Sequence, residues 1–204
     1  MSKYEGDDRH LYPGSEVLIN KLNLHSQAEL DEAEAAIVLL ATIEIGLNPI
    51  PEPADGPGFS YLLSIHNALF RDIYSWAGTI RDVDISKGES RFANCRFIEQ
   101  EGIRLGRELA AENWLAGRNA EQWAERMAFY MGEFNVLHPF REGNGRALRE
   151  YVRYLAARAG HSLTWEGVTT DEMINAAIAS FQGRTSELEG ILIQQMKSVT
   201  EPEG

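Results

Sequence analysis

The densest chemistry in the chain lies in one stretch, His138-Pro139-Phe140-Arg141-Glu142-Gly143-Asn144-Gly145-Arg146-Ala147-Leu148-Arg149. Pro139 and the two glycines prevent a preceding helix from running on. Gly143, Asn144 and Gly145 are residue types that turn successive backbone N–H groups around an anion at the start of a new helix, where the macrodipole also favours negative charge. Arg146 and Arg149, three positions apart, share a face of that helix, and guanidinium forks match phosphate oxygens. Glu142 at the rim suits a hard divalent cation, which phosphate chemistry commonly requires. His138 has the intrinsic pKa to take a hydroxyl proton near neutrality. Together these residues describe a phosphoryl- or nucleotidyl-transfer site.

Each has a plainer use when taken singly. Glu142 also suits a helix N-terminus for dipole reasons alone, the arginines serve as solvated helix charges, and a histidine before proline is commonly a loop residue. The combination favours chemistry. His66 sits at helical spacing among apolar residues and reads as core or surface, and Trp114 and Trp123 read as core. His10, His25 and His161 have no ligand spacing with cysteines or carboxylates, so zinc is not indicated.

The surrounding elements are mostly helical. Ser26 with Glu29 forms a capping-box pattern ahead of a helix to about Ile45. Residues 46–58 hold four prolines among three glycines and read as a surface loop. Helical spacing resumes over 59–76, then Thr79 to Ile85 alternates, Ser86-Lys87-Gly88-Glu89 supplies a turn, and 92–97 returns as a hairpin. Helices are expected over about 98–116, 120–135 and 143–159, the last ended by Gly160, followed by one capped by Thr170 to about Gln182 and a final one from Ser186. The fold class is therefore all-α, a helical bundle with a single β-hairpin.

The chain has 204 residues, a length for one domain, and 44% of them are hydrophobic, enough for a proper core. A net charge of −12 argues against gripping a nucleic-acid backbone directly. Cys95 is the only cysteine, which excludes an intrachain disulfide and points to a reducing compartment. No apolar run has signal-peptide or membrane-spanning character, so the expected location is the cytoplasm, without membrane attachment.

Residues 138–149 match the Fic family motif HPFx[D/E]GNGRxxR at every specified position. At ordinary residue frequencies such a match arises by chance on the order of once in 10^11 start sites. Asn135-Val136-Leu137 resembles the family's approach to the histidine. Trp76-Ala77-Gly78 through Phe92-Ala93, including Ile85-Ser86-Lys87-Gly88, resembles its target-docking flap. Tyr12-Pro13-Gly14 and the following helix resemble Fic toxins of bacterial toxin–antitoxin modules. The resemblance implies one Fic domain over 1–204, with a core of about 59–197, an N-terminal helical extension of about 12–46 and a docking hairpin of about 78–97.

It further implies protein adenylyl transfer, with ATP as co-substrate and Mg²⁺ as cofactor. His138 would be the base, Phe140 the loop's anchor, Glu142 the Mg²⁺ ligand, and Gly143, Asn144 and Gly145 the anion hole. Arg146 would hold the β-phosphate and Arg149 the γ-phosphate. The flap would bind its protein target by strand addition, with ATPase subunits of DNA gyrase or topoisomerase IV as implied targets. Thr185-Ser186-Glu187-Leu188-Glu189-Gly190 fits the family's inhibitory pattern [S/T]xxxE[G/N], in which Glu189 would pair with Arg149. Ser186 and Glu189 also form a capping box, and a small separate antitoxin carrying the inhibitory helix is the preferred reading. Transfer from another donor, such as another nucleotide, phosphocholine or a simple phosphoryl group, is the alternative chemistry. A non-catalytic interaction module is the alternative class.

Overall fold

A computed structural model describes residues 5–6, 8–87 and 90–198. Gly88 of the expected flap, and the outermost ends of the expected 1–204 domain, lie outside the described residues.

The helices are α1 (Gln27–Leu47), α2 (Phe59–Phe70), α3 (Ile98–Ala111), α4 (Ala120–Leu137), α5 (Asn144–Arg158), α6 (Thr170–Phe181) and α7 (Ser186–Gln195). α4 is the central rod, packed by α3, α5, α6 and α7, while α2 lies between α1 and α5. The core along this seam is aromatic: Tyr61, Phe70, Trp123, Tyr130, Phe134, Phe140 and Tyr151 are all fully buried. Among the described residues no helix is long and apolar enough to cross a membrane.

Capping differs from the expectation. Ser26 precedes α1 in extended backbone, but its side chain makes no capping bond. The boxes that form are Asn119–Gln122 before α4 and Thr169–Glu172 before α6, one residue ahead of the Thr170 cap expected there. Thr185, not Ser186, is the N-cap of α7, with no side-chain cap, so the Ser186–Glu189 box is not made. The helix read over 59–76 stops at Phe70, because Ile73 and Tyr74 return their N–H groups to the Phe70 carbonyl in tight turns. The helix read to 116 ends at Ala111, and Asn113, Trp114 and Leu115 follow with φ of 53°, 55° and 60°. Left-handed backbone costs non-glycine residues roughly 1–2 kcal/mol each, and burying Trp114 and Leu115 offsets it. The proline loop 46–58 is pinned from below: the Tyr61 hydroxyl donates to the Ile50 carbonyl at 2.9 Å and Tyr151 to Pro57 at 2.6 Å.

The strands are β1 (Glu5–Gly6), β2 (Ile85–Lys87), β3 (Ser90–Arg91), β4 (His161–Leu163) and β5 (Met196–Ser198). The hairpin is present as β2–β3, shorter than the alternation predicted. β1 pairs antiparallel on the other edge of β2, with Glu5 opposite Ser86 and Gly6 opposite Ile85, so β2 is a middle strand. A second antiparallel ribbon, β4–β5, closes the far end of the molecule. Residues 79–84 form no strand because their bonding partners lie elsewhere. Arg81 N–H donates to the Pro139 carbonyl at 2.8 Å, which ties the hairpin stem to the loop after α4.

Candidate active site

α4 ends at His138, whose backbone is left-handed (φ 47°, ψ 63°) and turns the chain sharply into Pro139. Arg81 holds that turn. Its buried guanidinium donates to the His138 carbonyl at 2.8 Å, to Val83 at 2.6 Å, to Ala93 at 2.5 Å and, more distantly, to Leu137 at 3.4 Å. A cation over the last carbonyls of a helix is electrostatically favoured. One side chain thus staples His138 to both legs of the hairpin. Sequence reasoning assigned Arg81 no part, and its position in an alternating stretch carried no signal of one.

His138 itself is buried, 6% exposed. Its Nδ1–H donates to the Asn135 carbonyl at 3.1 Å, which leaves the lone pair of the neutral ring on Nε2. Phe92 stacks on the imidazole with centroids 3.7 Å apart. Burial, aided by the Arg81 charge, pulls the His138 pKa down to about 3. The ring is therefore neutral at physiological pH, the state a proton acceptor needs.

The loop from Phe140 to Gly143 is shaped by four contacts. Phe140 is fully buried, as an anchor should be, and stacks on His66 at 3.7 Å. The Asn144 side chain closes the loop, with Oδ1 accepting from the Phe140 N–H at 2.8 Å and Nδ2 donating to the Phe140 carbonyl at 2.7 Å. Asn144 was expected to line an anion hole; its side-chain oxygen and one N–H of its amide serve this internal bridge. Gly143 has φ 81°, and a Cβ there would meet Phe70 Cζ at 2.4 Å, so only glycine fits. His66 supplies the fourth contact. Gly78 N–H donates to its Nδ1 at 2.8 Å, and its Nε2–H donates to the Glu142 carbonyl at 2.9 Å. This histidine, read as core or surface, is core, and it joins the hairpin base to the loop after α4.

α5 begins at Asn144, so the N–H groups of its first turn have no carbonyl of their own helix to bond. Glu142, 6% exposed, stands at this helix start with Oε1 accepting from the Gly143 N–H at 2.9 Å. Arg149 Nη1 lies 3.5 Å from where a Cβ on Gly145 would sit, against the same turn. Burial and the neighbouring Arg146 lower the pKa of Arg149. Among the described residues Arg149 has no carboxylate partner. Arg146 sits over the Phe70 ring at 4.8 Å, with Nη2 2.5 Å from Glu34 Oε1 and 3.4 Å from Glu142 Oε1. Tyr74 donates to the other Glu34 oxygen at 2.6 Å. Glu34 and Tyr74 were not recognised from the sequence. An acid amid the inward row Leu30, Glu34, Val38 was the available signal.

The sequence-predicted residues thus fall into three groups. His138, Phe140, Glu142, Gly143, Asn144, Gly145, Arg146 and Arg149 share one loop and helix start. Of the flap residues, Ile85 turns inward to pack with Val83 and Phe92, Ser86 is half-buried and Lys87 is exposed. Thr185 and Glu189 sit at the start of α7, which packs on α4 and α6. Glu189 has no ion-pair partner among the described residues, so the Glu189–Arg149 pair of the less favoured self-inhibitory reading is not formed there.

This constellation on a helical core is that of the Fic/DOC family, whose model matches residues 58–156. VbhT of Bartonella schoenbuchensis, a protein adenylyltransferase, is 38% identical over 98% of this chain, which spans 41% of VbhT's length. The probable protein adenylyltransferase Fic of Salmonella typhimurium is 37% identical over 98% of this chain and 97% of its own. The crystal structure of BepC from Bartonella tribocorum with bound AMPPNP has a TM-score of 0.86 at 26% identity, covering 95% of this chain and 99% of that one. The chain belongs to the Fic/DOC family, and as an enzyme it groups with the protein adenylyltransferases.

Proposed function

We propose that this protein transfers AMP from ATP to a hydroxyl of another protein, with His138 as the base. One observation carries the reading: a buried neutral imidazole, a carboxylate and two arginines converge on the N-terminus of α5. Nε2 of His138 takes the proton of a target Tyr, Ser or Thr hydroxyl, and the hydroxyl oxygen bonds to the α-phosphorus. The bond from that phosphorus to the bridging oxygen breaks in line, and pyrophosphate leaves with the electron pair. Arg146 and Arg149 hold the β- and γ-phosphates, and the first-turn amides of α5 face the anion. Catalysis in such transfers is largely positioning and charge neutralisation.

Glu142 fits a Mg²⁺ ligand. One carboxylate beside an anion concavity suffices for this ion, which takes its other oxygens from nucleotide phosphates and water. No cluster of three metal-binding side chains stands among the described residues. When bound, Mg²⁺ would neutralise phosphate charge. ATP as donor is supported by the relatives' names and by BepC with its bound AMPPNP.

A target segment docks as an added strand, recognised through its backbone. Because β2 is paired on both sides among the described residues, an added strand would lie on the outer edge of β1 or β3, and β3 leads through Phe92 to His138. Lys87 is exposed at the end of β2, where it would be available to a target segment. In this reading the protein is a growth-inhibiting cytoplasmic toxin acting on gyrase or topoisomerase IV ATPase subunits, restrained by a small antitoxin. The apolar row Leu40, Ile43 and Leu47 left exposed on α1 supports a helical protein partner. Arg149, with no carboxylate partner among the described residues, supports restraint by a separate partner.

Incubation with α-labelled ATP, Mg²⁺ and a bacterial lysate should label protein, and His138→Ala should reduce labelling by about a hundredfold or more. Label arriving only from γ-labelled ATP would reject AMP transfer. Glu189→Gly should leave the rate unchanged if restraint comes from a separate partner.

A further inference from the structure

Arg146 stands between two acids. Its Nη2 lies 2.5 Å from Glu34 Oε1 and 3.4 Å from Glu142 Oε1, while its guanidinium rests on the Phe70 ring. Glu34 lies on α1, 112 positions away and outside the stretch that the family model matches. It interrupts the inward row of Leu30 and Val38 and is 6% exposed.

An aliphatic side chain would continue that row without any desolvation cost. Burying a carboxylate costs several kcal/mol, and pairing it commonly does no more than offset this. The ion pair is therefore poor evidence of stability, and its effect on Arg146 is the better account of it. A guanidinium offered only Glu142 would settle on that carboxylate, engaging the group proposed to hold a cation. Glu34 competes at shorter range. Tyr74, donating to the second Glu34 oxygen at 2.6 Å, holds the carboxylate in place. Arg146 keeps 25% of its side chain exposed, and its fork has further N–H donors to present.

We propose that Glu34, steadied by Tyr74, is a positioning residue of the nucleotide site: it draws Arg146 off Glu142 and sets its guanidinium toward the nucleotide's phosphates. This rests on the reading of Arg146 as a phosphate-binding group. It makes α1 a working wall of the site rather than an N-terminal extension.

The test is titration of the full chain with a fluorescent ATP analogue, with no target present and so no turnover. Arg146→Ala should weaken binding strongly, and Glu34→Gln by about tenfold, as second-layer partners typically do. Tyr74→Phe should weaken it less. In the Glu34→Gln, Arg146→Ala double variant the glutamine should add nothing further, because Glu34 acts through Arg146. Glu34→Gln should also raise the Mg²⁺ concentration needed for half-maximal analogue binding. Losses that add in the double variant overturn the proposal in favour of a merely structural role, as does tighter or unchanged binding by Glu34→Gln beside a weakened Arg146→Ala. Unchanged binding by Arg146→Ala overturns the phosphate reading and the positioning role with it. Circular dichroism melting of Glu34→Asp, which keeps the charge, separates loss of fold from loss of position: a folded Glu34→Asp should recover part of the affinity.

Discussion

In the proposed reading His138 is a base, and its surroundings keep the ring neutral. A free imidazole titrates near 6.5, but burial brings this one to about 3. A catalytic histidine at its ordinary pKa would impose an acid limb on kcat/KM as it protonates. Here kcat/KM for ATP should stay level as pH falls through 6.5, and a fall centred there would show that His138 is more hydrated than its burial implies. Gly143 is equally constrained. With φ 81° and Phe70 Cζ 2.4 Å from the place of a Cβ, Gly143→Ala must move either the loop or the aromatic wall. The expected result is a lower kcat together with a lower melting temperature, whereas Gly145→Ala, facing open space apart from Arg149 Nη1 at 3.5 Å, should lose little stability. Equal melting temperatures for the two would contradict the assignment.

Between elements, two buried side chains join the hairpin to the loop between α4 and α5. Arg81 binds carbonyls from α4 and both hairpin legs, and His66 bridges Gly78 and Glu142. Removing the imidazole by His66→Ala takes away the partner of a part-buried N–H and of a buried carbonyl, and an unmet buried group costs about 1–3 kcal/mol. The expected outcome is a drop in urea midpoint with a parallel loss of kcat, since the ring also backs Phe140. His66→Asn, which can restore one bond, should recover part of the stability. A His66→Ala variant as stable and active as the parent would show that the bridge is dispensable. The hairpin was legible as alternation over 79–85, yet most of that stretch is not strand. Its backbone and Arg81 are engaged by the loop after α4, a partner far away in sequence.

The whole molecule carries this electrostatics into its stability. His66 and His138 have folded pKa values of about 4 and about 3, both below the unfolded value near 6.5. Below pH 6.5 the unfolded chain binds protons that the folded one refuses, so stability is fully present above 6.5 and is lost as pH falls toward 4 and 3. Urea midpoints should decline from pH 7 to pH 5, and His66→Gln should flatten that decline relative to its own pH 7 value. A midpoint that does not move over this interval would mean that one or both rings are protonated in the folded state.

By itself, the sequence determined the chemistry that is local. His138, Glu142, the glycines and the arginines are neighbours along the chain, and a loop opening a helix brings them together with little help from elsewhere. Helix positions were legible for the same reason, since the apolar periodicity that drives burial is written in consecutive residues. Caps were less so, because a Ser–Glu pair such as Ser26–Glu29 names a candidate without deciding whether the bond is made. Only the tertiary structure decided that Glu34 and Tyr74 bear on Arg146, that Arg81 and His66 hold the loop, and that β2 carries strands on both edges. Each depends on contacts between distant segments, whose energy comes from packing and from pairing buried polar groups. Glu189 is the converse case: its local pattern fits an inhibitory motif and a capping box alike, and among the described residues neither the arginine pair nor the box is made.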